Sequence, residues 1–186
     1  MNRFKAVVMG ASAGGLDALS SLLATLPATY SCPVIIVQHV YREQGGGLVG
    51  YFDHKCALSL HEAGDKEPVR PGCVYFAPPN YHLLVEPDRT FSLSVDEKVH
   101  YSRPSIDVLF ESAAHVWGHD LAGIVLTGTN ADGACGLHVI KEYGGLTVVQ
   151  DPATSEHPVM PQASLDMGEV DYILSLQQIG KLLAGK

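Results

Sequence analysis

The chain has 186 residues, 46% of them hydrophobic and 17% charged, which is the composition of a globular core rather than of a disordered polymer. A formal net charge of −8 without any lysine or arginine run argues against nucleic-acid binding, and no apolar segment has the length of a membrane span or the pattern of a signal peptide. The four cysteines (Cys32, Cys56, Cys73 and Cys135) lack C-x-x-C spacing, which predicts inert, reduced thiols in a cytoplasmic protein and indicates no metal.

The first predicted element is a strand, "KAVVM" (residues 5–9), followed by the turn Gly10–Gly15 and an amphipathic helix. A dinucleotide fingerprint places glycine at the first, third and sixth positions of such a turn and an acid at the end of the next strand. Here the third position is Ser12, and the next strand, "PVIIVQHV", ends in Gln38 and His39. The turn matches G-x-S-x-G instead, where small neighbours let a sharp strand-to-helix elbow present a serine. Ser12 as a plain helix cap is the structural alternative. Residues 73–95 read as short strands with Pro/Asn and Pro/Asp turns, so an antiparallel hairpin region is expected there. From Pro104 to Trp117 a helical period puts Ile106, Leu109, Phe110, Ala113, Ala114 and Trp117 on one face, with Pro104 in the first turn. Strands "AGIVLTG", "LTVVQ" and "DYILSL" follow, and Gly144-Gly145 reads as a helix stop. Strands alternating with helices predict a doubly wound, mostly parallel α/β sheet flanked by helices, in a single domain over residues 1–186.

Chemistry in such sheets gathers at the carboxyl ends of the strands. Three of those ends carry Ser12, His39 and Asp132, which in one crevice would supply nucleophile, general base and orienting acid. The backbone N–H groups of Ala13 and Gly14 are candidates for stabilising an oxyanion. Each residue has a structural alternative, since Asp132 before Gly133 is also a good turn or cap residue. The chain order Ser, His, Asp differs from the Ser, Asp, His order of α/β hydrolases. His115 and His119 are spaced i, i+4, but no glutamate completes H-E-x-x-H and the helix ends near Gly118. His157, in "TSEHPVMPQAS", is expected in a loop.

"GASAGG", "IIVQHV", "YFAPPNYHLLV", "RPSIDVLFESAA", "LTGTNADGACG", "GGLTVVQDPATS" and "MPQAS", in that order from about residue 4 to residue 180, together resemble the catalytic domain of the CheB family of chemotaxis methylesterases. The resemblance implies a protein-glutamate methylesterase and glutamine deamidase that acts on methylated chemoreceptors or related signalling proteins without a cofactor. It places the family's catalytic serine, histidine and aspartate on Ser12, His39 and Asp132. This chain departs from the family at Ala13, where threonine is usual, and at Thr129 and Asn130, which replace Met-Gly and stay candidates for the substrate cleft. The phosphorylatable receiver domain common in the family is not expected here, so control would come in trans from a separate protein. A silent adaptor of the same fold is the competing function.

Overall fold

Strand β1 (Ala6–Ala11) leads through α1 (Gly15–Leu23) into β2 (Val34–Gln38), and α2 (Leu48–Phe52) precedes β3 (Ser59–Glu62), β4 (Cys73–Phe76), β5 (His82–Val85) and β6 (Phe91–Ser94). The remainder alternates: α3 (Ile106–Trp117), β7 (Leu121–Val125), α4 (Ala134–Glu142), β8 (Leu146–Gln150), α5 (Val159–Met167), β9 (Tyr172–Leu174) and α6 (Leu176–Leu183). These elements come from a computed structural model that describes residues 4–39 and 47–185. Seven strands form one parallel sheet in the order β3-β4-β2-β1-β7-β8-β9.

Every residue of β1, β2, β7 and β8 is buried, which is why these strands read as unbroken apolar runs. Alternation along the strands divides the core in two. Val7, Met9 and Ile36 meet Leu19, Leu22 and Leu23 of α1 and Ile179 of α6 on one face. Val8, Ile35 and Val37 meet Leu109 and Phe110 of α3 and Leu137 of α4 on the other. All six residues assigned to the buried face of α3 are buried. Pro104, however, lies before that helix: Ser105 is the N-cap, and its side chain accepts from the Val108 N–H. Gly144, just past α4, has φ 79°, the left-handed conformation of a helix stop.

The hairpin region resolves into two parts. Cys73–Phe76 is a parallel strand of the main sheet, because Val74 and Tyr75 are buried on opposite faces of it. Only β5 and β6 pair antiparallel, as a separate two-stranded sheet whose Leu83 and Phe91 pack with Leu109 and Phe110 of α3. Strand β3 was not anticipated; its sequence, Ser-Leu-His-Glu, is that of a short polar edge rather than an apolar core strand. Among the described residues no cysteine is in a disulfide; Cys32 is buried and Cys56, Cys73 and Cys135 are partly accessible.

The topology fixes where chemistry can occur. From β1 the chain builds outward through β2 and β4, then returns to the other side of β1 with β7. The strand order therefore reverses at β1, opening a crevice at the carboxyl ends of β2, β1 and β7. Phe110, fully buried between sheet, hairpin and α4, tests the α3 side of the core. Phe110→Ala should lower unfolding stability by about 3–5 kcal/mol, measured by urea denaturation. A loss below about 1 kcal/mol would show that this face is not close-packed.

Candidate active site

The parallel register sets Ser12 beside His39. Ala11 pairs with Gln38, so the next residue of each strand end stands side by side, and the His39 N–H donates to the Ala11 carbonyl at 3.0 Å. On the other flank the Ser12 N–H donates to the Thr127 carbonyl at 3.0 Å, carrying β1–β7 pairing one step past the sheet. The elbow is a true strand-to-helix turn. Gly14 has φ 74°, a left-handed backbone conformation that favours glycine at the elbow. Because the Ser12 N–H is committed to Thr127, the oxyanion candidates are the N–H groups of Ala13 and Gly14, which make no hydrogen bond among the described residues.

Asp132 is fully buried and holds His39: its Oδ2 lies 2.9 Å from His39 Nε2. The same carboxylate accepts from Ser105 Oγ at 2.8 Å, the Ile106 N–H at 2.8 Å and the Asp107 N–H at 3.0 Å. It therefore caps the N-terminus of α3, where the helix dipole favours negative charge, and not the helix α4 that follows it in sequence. Burial pushes its pKa up, but the His39 hydrogen bond and the Ile106 and Asp107 N–H groups outweigh burial and leave it below the ordinary carboxylate value. An ionised Asp132 accepts, so Nε2 carries the imidazole hydrogen and Nδ1 presents a lone pair. Nδ1 is buried and has no hydrogen-bond partner among the described residues, as a general base awaiting a proton would require. The Ser12 hydroxyl likewise makes no hydrogen bond among the described residues, and catalytic contacts of this kind commonly tighten only with substrate bound.

Three side chains brace this arrangement. Gln38 Nε2 donates to the carbonyls of both Ser12 and His39, each at 2.8 Å, joining the elbow to the end of β2. The Thr127 hydroxyl donates to the Ala13 carbonyl at 3.0 Å and accepts from the His157 N–H at 2.9 Å. Asp107 accepts from the Gly133 and Gly136 N–H groups at 2.9 and 2.7 Å, so it caps α4 while Asp132 caps α3. Met160 is buried against Gly128, where an added Cβ would lie 2.6 Å from its methyl carbon and 3.0 Å from Ser12 Cβ. Thr129 is exposed, and Asn130 is partly buried with its Oδ1 accepting from the Asp132 N–H at 3.2 Å, a bond within the aspartate loop. The His157 side chain is partly exposed beside Glu156, and its backbone is what reaches the site. His115 bonds to the Glu111 carbonyl and His119 lies past the end of α3, so the two share no ligand-bearing helix face.

Comparison with known proteins agrees with this geometry. The family model described as CheB methylesterase matches residues 7–183. A relative from Leptospira interrogans serogroup Icterohaemorrhagiae is 49% identical over 179 residues, covering 96% of this chain and 93% of the relative. "Protein-glutamate methylesterase/protein-glutamine glutaminase 2" of Anaeromyxobacter dehalogenans is 39% identical over 181 residues, and the chain spans 53% of its length. The crystal structure of the Thermotoga maritima CheB methylesterase catalytic domain superposes with a TM-score of 0.92 at 31% identity, covering 98% of each chain. The chain belongs to the CheB methylesterase family.

Proposed function

We propose that this protein hydrolyses glutamate γ-methyl esters on chemoreceptors through an acyl-Ser12 intermediate, with His39 as general base and Asp132 as its orienting acid. The observation that carries this reading is the His39 imidazole, tied through Nε2 to a buried carboxylate while Nδ1, beside the elbow, has no partner among the described residues. Ser12 Oγ attacks the ester carbonyl as Nδ1 takes its proton. The oxyanion is met by the Ala13 and Gly14 N–H groups, and the imidazolium returns the proton to the departing methanol. Water then attacks the acyl-enzyme by the same route, releasing glutamate and restoring Ser12. Glutamine would react identically with ammonia as the leaving group, so deamidation belongs to the same site. A silent adaptor would have no use for a buried, hydrogen-bonded His–Asp pair at this elbow. Control by a separate protein acting in trans is part of the same proposal.

Ser12→Ala should cut methanol release from a methylated receptor fragment by about 10⁴-fold or more while leaving the circular dichroism spectrum unchanged. Wild-type release from that variant would refute the mechanism. His39→Gln, which removes the proposed proton acceptor, should lower the same rate by about 10³-fold or more; wild-type release from that variant would remove His39 as base. Gln38→Met, which keeps the side-chain volume but loses both carbonyl contacts, should lower kcat by about tenfold with little change in KM. An unchanged kcat would show that the brace between nucleophile and base is dispensable.

A further inference from the structure

We propose that His100, Asp107 and Cys135 form a binding site for a thiophilic divalent cation, zinc above all. The three residues come from separate segments: the loop after β6, the first turn of α3 and the first turn of α4. One donor atom from each lies within 4.8 Å of the others, and His100 Nε2 stands 3.3 Å from Asp107 Oδ2. Two ligands about 2.0–2.1 Å from a tetrahedral zinc ion are themselves about 3.3–3.4 Å apart. The nitrogen and oxygen are thus already at the separation that a shared ion imposes.

The carboxylate is prepared for this role. Asp107 is buried, and its Oδ1 is occupied by the Gly133 and Gly136 N–H groups, which leaves Oδ2 directed at His100. Backbone donors that fix the outer oxygen of a ligating carboxylate are the usual support of a metal site. Among the described residues no lysine or arginine pairs with Asp107, whose partner at Oδ2 is His100, itself a metal-binding side chain. The loop is shaped to deliver its histidine: His100 and Tyr101 both have left-handed φ, 46° and 63°, inside a turn closed by Val99 and Ser102 pairing to each other's backbone. Imidazole, carboxylate and thiolate are a donor set suited to zinc rather than to magnesium or calcium. The partly exposed His100 leaves a fourth position for water, and ligation sends the thiol proton to solvent. An ion held there would tie the 96–103 loop to the two helix starts that frame Asp132.

The test uses the full chain, reduced and freed of metal, titrated with Zn²⁺ by calorimetry and with Co²⁺ as a spectroscopic probe. About one equivalent should bind, with a dissociation constant of about 1 µM or tighter, and Co²⁺ should show a thiolate charge-transfer band. Cys135→Ser should abolish that band, and both Cys135→Ser and His100→Ala should weaken Zn²⁺ binding by about tenfold or more. Cys56→Ser, which alters a partly accessible thiol elsewhere, should leave both signals intact. All three variants should keep wild-type circular dichroism, which separates loss of ligands from loss of fold. Absence of stoichiometric binding, or binding that survives in both ligand variants, would overturn the proposal.

Discussion

A buried carboxylate must be paid for in hydrogen bonds, and Asp132 is the group on which the rest of this site depends. Its two oxygens meet a serine hydroxyl, two backbone N–H groups at the start of α3 and the imidazole of His39. Charge in a low-dielectric interior is tolerated only when it is satisfied in this way. The helix start contributes its dipole as well as its donors, so the carboxylate stays ionised where burial alone would neutralise it. An ionised Asp132 then dictates which imidazole nitrogen holds the hydrogen. Helix capping and the orientation of His39 are here a single interaction.

The clasp is reciprocal. Asp107, two residues into the cap that Asp132 serves, turns back to bind the Gly133 and Gly136 N–H groups. Two helices that pack side by side are thereby joined at their N-termini by crossed carboxylates. This places two acids close together: burial first, and then the Asp132 charge, raises the Asp107 pKa to about 6 despite the opposing Gly136 hydrogen bond. On the other side of the crevice the positioning is done by neutral groups. Gln38 and Thr127 take backbone carbonyls of the elbow and hold them to β2 and to the 155–157 loop. Ser12 is thus set by sheet register and side-chain hydrogen bonds, and His39 by a charged clasp.

The central strands were legible because parallel strands buried on both faces leave apolar runs that little else produces, and α3 because its six core residues keep helical period. Ser12, His39 and Asp132 could be named because a doubly wound sheet gathers strand ends, and register confirms that Ser12 and His39 are neighbours. Other features were hidden for physical reasons. Strand β3 carries an edge strand's polar sequence, and β4 was grouped with the hairpin because it precedes the turn-rich residues 77–81. Asp107 was not singled out at all, because its bonds to Gly133 and Gly136 span a separation that spacing cannot reveal. Asn130 was named from its departure from the family's Met-Gly, and the bond from the Asp132 N–H to its side-chain oxygen is a local contact that the comparison could not supply.

The account's central claim is that the Asp132 clasp fixes His39 with hydrogen on Nε2 and a free lone pair on Nδ1. Nitrogen-15 NMR of histidine-labelled protein, with His39 assigned by its loss in His39→Gln, reads that state directly at a pH where the imidazole is neutral. The account predicts a protonated, Asp132-coupled Nε2 and an unprotonated Nδ1, with this preference lost in Asp132→Ala. A His39 signal with hydrogen on Nδ1, or one unchanged by Asp132→Ala, would contradict it.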